Sequence, residues 1–304
     1  MLFEEYLETL RRERFTPHAV LAYVRQAVRR IHDDMDRNPA ALRAIWSAGL
    51  VFFAAAFVAS GALALLVERR LGYQFFLVTA IGMVPTFTLV SLHVGMLRDR
   101  DGYPLSALNL PTLLTLLRLV MIPGLALFLI HRHFTLALAG YGLAAVSDVA
   151  DGFLARRWNQ TTPLGRQLDP VVDICFHLSI FVSLAGAGLL APWVAWVAAA
   201  RYGLLLFGGI CLMVLVGPVR IYPTLFGRLT GVLMAGLVML LIVLRIESGH
   251  LAASLGSLTE IALGALLSAA VAQVMVLGWY NLRQMRGEQR PAGRVVGDVR
   301  WGRR

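Results

Sequence analysis

The sequence predicts an all-α integral membrane protein, and two observations carry that prediction. The first is bulk apolarity: 58% of the 304 residues are hydrophobic and the mean hydropathy is +0.69, where a multi-span protein is the first expectation. The second is segmentation. Apolar runs long enough to cross the hydrocarbon core follow one another, with charge gathered in the links between them.

Residues 1–45 are charged and hold two predicted helices, 3–15 and 19–37, divided by Thr16-Pro17, a helix-start signal. The second places Val20, Tyr23, Val24, Ala27 and Ile31 on one face, with Arg25, Arg29 and Arg30 largely elsewhere. That is the pattern of an amphipathic helix on a membrane surface or against a neighbouring domain; a solvated helix held by charge pairs is the equal alternative. Runs 46–67 and 75–96 read as an added two-span hairpin with a structural role, free of ionisable side chains until His93. Arg98, Asp99, Arg100 and Asp101 form a polar link, which sets the domain boundary and closes a 46–101 unit. Six further runs, 113–130, 134–149, 170–188, 192–216, 229–244 and 261–280, make up a 102–282 unit. The tail beyond, 283–304, is basic and reads as disordered.

The formal net charge is +10, and every one of the 28 basic residues is Arg. In a membrane protein this suits contact with anionic head groups. Basic and aromatic residues are not interleaved in a soluble stretch, so a nucleic-acid partner is not expected. Cys175 and Cys211 lie in apolar runs outside any CxxC pair and read as buried, reduced thiols. The N-terminus opens with Glu4, Glu5 and Glu8 rather than a basic, then apolar, leader, so insertion is expected to rely on internal spans. Arg118 and Arg201 lie inside runs, and the loops of one side hold only Arg69, Arg70, Arg132 and Arg245. With eight spans, the positive-inside rule puts both termini and the loop around 150–169 in the cytoplasm, with a bacterial inner membrane as the expected compartment.

That loop carries the densest chemistry. It reads Asp148-x2-Asp151-Gly152-x2-Ala155-Arg156-x8-Gly165-x3-Asp169-x3-Asp173. On a helix the first five named positions share one face, and Asp169 and Asp173 stand one turn apart at the start of the next run. Gly152, Ala155 and Gly165 leave room for a ligand close to the backbone. Four carboxylates at the end of two spans would repel one another unless cations bridged them. Hard oxygen donors in such a set suit two Mg²⁺ or Mn²⁺ ions, which can clamp a phosphoryl group in transfer. Outside this stretch, Arg118 sits within a span, preceded by Asn109, Pro111 and Thr115. A charged side chain there normally faces a partner or a polar cavity. His177, one turn beyond Asp173, reads as a packed histidine, the alternative being that it faces the site.

The spacing resembles the signature of the CDP-alcohol phosphotransferases, integral membrane enzymes of phospholipid synthesis, over residues 107–280. The stretch from Asp151 to Asp173 looks most like the phosphatidylglycerophosphate synthase branch. The resemblance implies a six-helix catalytic core, to which the N-terminal amphipathic region and two extra transmembrane helices are added, and a homodimer. It implies that Asp148, Asp151, Asp169 and Asp173 hold two divalent ions against the pyrophosphate of CDP-diacylglycerol. Asp173 then takes the proton of the acceptor hydroxyl, which attacks the lipid-side phosphorus and releases CMP. Asn109, Thr115, Arg118, Gly152, Ala155, Arg156 and Gly165 are expected at the nucleotide, a salt bridge to the acids being the alternative for Arg118. Arg166, Arg201, Arg220 and Arg228 are expected at the phosphate of an anionic acceptor. Glycerol 3-phosphate is the preferred acceptor. Thr112 stands where the family has Asn, Ile174 where the branch has Lys, and Tyr202 where it has Glu. Inositol phosphate or another polar alcohol therefore stays open. A non-catalytic scaffold or transporter on the same fold is the rival class, and an intramembrane prenyltransferase, with two distant acidic motifs, fits less well.

Overall fold

The computed structural model describes residues 16–99, 101–158, 160–215, 225–247 and 250–288, without the side chains of Met213, Leu215, Arg228 and 284–288. Among these residues the regular structure is all helical, apart from one isolated bridge between Arg98 and Pro104. In order the helices are α1 (Pro17–Arg37), α2 (Pro39–Leu66), α3 (Arg69–Leu92), α4 (Leu110–Ile130), α5 (Phe134–Arg157) and α6 (Pro163–Gly186). They are followed by α7 (Pro192–Gly203), α8 (Gly209–Leu215), α9 (Leu225–Ile246) and α10 (His250–Glu288). A π-helical segment, Leu204–Gly208, joins α7 to α8 within one continuous span.

Helix starts follow local chemistry. Thr16, Asn109 and Thr162 are N-caps whose side chains accept from the backbone N–H three residues on, each followed by a proline in the first turn. The predicted helix at 3–15 lies outside the described residues. In α1 Ala19 is buried, Tyr23, Ala27 and Ile31 are half-buried, and Val20, Leu21, Val24 and Val28 remain exposed beside Arg25 and Arg29. The expected apolar face is therefore split, one edge against the protein and the other open. α1 rests on the short turn Val94–Met96 and on α2 and α3. Gly95 approaches Asp34 so closely that a Cβ there would collide with the carboxylate.

Among the described residues seven helices are long and apolar enough to cross a membrane. The eighth expected span, 134–149, falls within α5, which is a 24-residue helix but is not one of the seven. Asp148, Asp151, Arg156 and Arg157 at its C-terminal end dilute its apolarity. It nonetheless packs lengthwise on α4 and α9, and a tight turn through Arg132, at φ 61°, reverses the chain into it. The final helix is longer than its expected run of 261–280 and carries past Asn281 to Glu288; residues 289–304 lie outside the described ones.

α4 is the hub: it packs on α3, α5 and α6. Close approach is bought by small residues. Gly72 on α3 lies so near α2 that a Cβ would stand 2.5 Å from the Ser60 carbonyl, and Ser60 Oγ donates to the Gly72 carbonyl at 2.9 Å. Gly82 meets the ring of Pro123 in α4 in the same way. One apolar core, with Phe181, Leu184, Leu241 and Leu267 fully buried, joins α5, α6, α7, α9 and α10. A second, around Ile45, Phe87, Leu116 and Leu164, ties α2 and α3 to α4 and α6. The cysteines depart from expectation: both are free, but both are exposed on the helix surface rather than buried, since in a membrane lipid offers an apolar thiol the same shelter.

Thr79 on α3 is a local misfit. It is 3% exposed and its Oγ1 has no hydrogen-bond partner among the described residues, whereas Thr86 and Ser91 on the same helix donate to the carbonyls of Gly82 and Phe87, both at 2.8 Å. A buried unpaired hydroxyl costs about 1–3 kcal/mol. Thr79→Val, which keeps the shape, is expected to raise the thermal midpoint in detergent by a few degrees. An unchanged or lowered midpoint would show that the hydroxyl is satisfied in the membrane.

Candidate active site

Three helices meet at the acids. Asp148 and Asp151 come from the last three turns of α5, and Asp169 and Asp173 stand one turn apart near the start of α6. Thr115 and Arg118 come from α4, which packs on both. The capped starts of α4 and α6 set the register. Asn109 also donates through Nδ2 to the carbonyl of Gln160, which ties the α5–α6 link to the head of α4.

Arg118 is the centre of the constellation. Its side chain is 3% exposed, with Nη1 paired to Asp148 and at 2.5 Å from Asp173, and Nη2 at 2.7 Å from Asp151. Thr115 Oγ1 donates to Asp169 at 2.9 Å and is 3.3 Å from Asp151. Two adjacent turns of α4 thus join all four carboxylates. The structure shows the salt bridges of Arg118 to three of the acids. Its Nε is buried without a partner.

Above the acids a cleft is lined by Pro111, Thr112, Thr115, Asp151, Gly152, Ala155, Gln160, Thr161, Thr162, Gly165, Arg166 and Asp169. The small residues keep it open: a Cβ on Gly165 would stand 3.3 Å from Thr162 Oγ1. The guanidinium of Arg156 lies over Gly152, 3.3 Å from where a Cβ would be. Gln160, Thr161 and Thr162 were not singled out from the sequence; the signal that could have found Thr162 is its Thr-Pro pair, a helix-start pattern like Thr16-Pro17.

Of the other expected residues, Arg201 does not reach the acids directly. Nη1 contacts Met234 Sδ at 2.7 Å and the Tyr202 hydroxyl at 3.4 Å, and among the described residues the buried Nε has no hydrogen-bond partner. The link to the acids runs through Tyr202, whose ring stacks on His177 at 5.7 Å. His177 Nδ1 in turn donates to the Asp173 carbonyl at 2.8 Å, which fixes its tautomer. His177 is thus packed, as expected, yet packed against the site. Arg220 lies outside the described residues, as does the side chain of Arg228.

Among the described residues no group of three or more His, Cys, Asp or Glu side chains is arranged to hold a metal ion. The guanidinium of Arg118 occupies the point on which three acids converge. The donor set still fits a hard divalent cation. One guanidinium cannot balance four carboxylates, Asp148 and Asp173 are about half exposed on their side chains, and every donor is oxygen.

The sequence profile of the CDP-alcohol phosphatidyltransferases matches residues 108–280. A CMP-forming cardiolipin synthase from Streptomyces coelicolor is 38% identical over 105 residues, 33% of this chain and 49% of that protein. A CDP-diacylglycerol–glycerol-3-phosphate 3-phosphatidyltransferase from Cereibacter sphaeroides is 37% identical over 89 residues, 28% of this chain and 40% of its own. The enzyme of the same name from Escherichia coli K12 is 51% identical over 69 residues, 21% of this chain and 37% of its own. The chain spans half the length of these relatives or less. No solved structure matches. The profile covers more than half of the chain and contains all four acids, Thr115 and Arg118, and the chain belongs to the CDP-alcohol phosphatidyltransferase family, enzymes of phospholipid synthesis.

Proposed function

We propose that this chain transfers a phosphatidyl group from CDP-diacylglycerol to the hydroxyl of a small polar alcohol, with glycerol 3-phosphate as the preferred acceptor, and releases CMP. The observation that carries this reading is the convergence of four carboxylates from α5 and α6 on Thr115 and Arg118 beneath an open cleft. Relatives named for glycerol 3-phosphate support the acceptor. Relatives named as CMP-forming cardiolipin synthases favour a second reading, in which the hydroxyl belongs to a lipid.

In either case the hydroxyl oxygen bonds to the lipid-side phosphorus, the bond from that phosphorus to the CMP oxygen breaks, and the hydroxyl proton passes to a carboxylate oxygen of Asp173. Asp148, Asp151, Asp169 and Asp173 would hold two Mg²⁺ or Mn²⁺ ions, which supply charge for the pyrophosphate and the departing CMP. Thr115 and Arg118 keep the acids in register, and Gly152, Ala155 and Gly165 admit the nucleotide. Arg156 and Arg166 supply positive charge at the cleft, and Arg201 offers an unpaired Nε to an anionic acceptor. The reading places the cleft and both termini on the cytoplasmic side, where CMP and a soluble acceptor are handled, in an enzyme that works as a homodimer.

The test is CMP release by the purified protein with CDP-diacylglycerol and Mg²⁺, against glycerol 3-phosphate, inositol phosphate, phosphatidylglycerol and no acceptor. Release with glycerol 3-phosphate alone is the expected result. Release only with phosphatidylglycerol would transfer the assignment to the second reading. No release with any acceptor would favour a scaffold or transporter on this fold.

A further inference from the structure

A second cavity opens between the added hairpin and the catalytic core, lined on α4 by Leu117, Val120 and Met121 where the cleft has Thr112 and Thr115. Ala55, Ala56, Ala59 and Ala62 line it from α2, Thr79 from α3, and Ala139 and Leu143 from α5. The alanines share one face of α2, and larger side chains there would close the space. Its upper end reaches the level of Arg118: Leu117 and Val120 lie one and two residues from it on α4, and Leu143 lies five residues before Asp148 on α5. Its lower end reaches Leu66, Val67 and Phe128 at the far ends of α2 and α4. The walls are helices of the membrane bundle, so the surrounding medium is hydrocarbon and the filling is alkyl chain.

We infer that this cavity seats an acyl chain of the lipid whose phosphorus is attacked at the acids, which rests on the function proposed above. A lipid with its pyrophosphate over Asp148 and Asp151 must lay its chains along α4 and α5, and this is a chain-lined slot that starts at that level. The hydrophobic term largely cancels, because a chain that leaves the slot re-enters lipid. What the walls supply is packing and position, holding the phosphorus in line with the acceptor. The hairpin, absent from the matched family region, thereby becomes part of the substrate site.

Ala59→Phe and Ala139→Phe each drive a ring into the slot from opposite walls, and Ala54→Leu adds bulk at an exposed position of α2 outside the lining. Two readouts apply to the full-length protein in detergent. Native mass spectrometry scores retention of dipalmitoyl CDP-diacylglycerol against dipalmitoyl phosphatidylglycerol. Kinetics compare dipalmitoyl with dihexanoyl CDP-diacylglycerol. The expected result is preferential retention of the long-chain CDP-lipid by the wild type and by Ala54→Leu, reduced about tenfold in both Phe variants. Their KM for the long-chain donor should rise about tenfold with the short-chain KM unchanged. Unaltered retention and KM in both Phe variants would overturn the inference. So would loss of phosphatidylglycerol alone with KM unmoved, which marks a resident structural lipid. A variant whose elution and melting depart from wild type is set aside and the other decides. If no acceptor supports CMP release, the function fails while retention still tests the slot.

Discussion

Arg118→Met is expected to lower both stability and activity, and added Mg²⁺ is expected to restore part of the first but not the second. Removing the guanidinium leaves Asp148, Asp151 and Asp173 facing one another with no counter-charge. Breaking a buried ion pair from one side costs about 3–5 kcal/mol. Asp151 has a 10% exposed side chain, but Asp148 and Asp173 are near half exposed and partly screened by water, so about 3 kcal/mol is the expected loss. It would appear as a clear drop in the thermal midpoint measured in EDTA. A cation bound to the native acids stabilises by mass action, and the variant has more unbalanced charge to offer it. Its midpoint should therefore climb with Mg²⁺ more steeply than that of the wild type. CMP release should fall by roughly 100-fold or more, since the acids lose the register that Nη1 and Nη2 impose. A midpoint equal to wild type in EDTA would show that the ion pairs contribute nothing net, and equal Mg²⁺ slopes would remove the competition between guanidinium and metal.

The contrast between Arg118 and its four partners also marks how far the sequence could be read. The acids were legible because three- and four-residue spacing on a helix is a local property: Asp148 with Asp151, and Asp169 with Asp173, follow from the helical repeat alone. The small residues among them and the Thr16-Pro17 helix start were legible for the same reason. What joins the two pairs was not, because it is tertiary. Nothing in residues 109–118 states that α4 lies against both α5 and α6, so the ion pairs of Arg118 could be offered only as one of two readings. The route from Arg201 through Tyr202 and His177 to Asp173 has the same origin, three side chains from two helices whose meeting depends on the packing of α6 on α7. Apolarity located seven spans directly, whereas α5, diluted by its own acids and arginines, was recognised as a run although it does not reach the same threshold. The thiols were misplaced because hydropathy does not distinguish a protein interior from a lipid-facing surface. The slot beside the hairpin was invisible for a related reason: four alanines on α2 read as an ordinary apolar face until a gap is seen opposite them.

Asp173→Asn is expected to separate reaction from architecture in the opposite sense to Arg118→Met. The amide keeps an oxygen that can accept from Arg118 Nη1, now 2.5 Å from the carboxylate, and its side chain is 46% exposed, so the polar head remains solvated. One negative charge fewer also eases the repulsion from Asp148, Asp151 and Asp169. The thermal midpoint should stay within about 1 kcal/mol of wild type, the range of a substitution that creates neither a cavity nor an unpaired buried group. The reaction should not survive as well. An amide cannot take the acceptor proton, and loss of a positioned base costs about 100- to 10,000-fold, with the fall in kcat rather than in KM for either substrate. Binding of CDP-diacylglycerol, followed by native mass spectrometry, should persist because Thr115, Gly152, Ala155 and Gly165 are untouched. Retained binding with lost turnover would assign Asp173 to the proton. A wild-type rate would move the base to another of the acids, and Asp169, held by Thr115 at 2.9 Å, is the next to substitute. A matching loss of binding and rate would instead make Asp173 a charge that holds the head group.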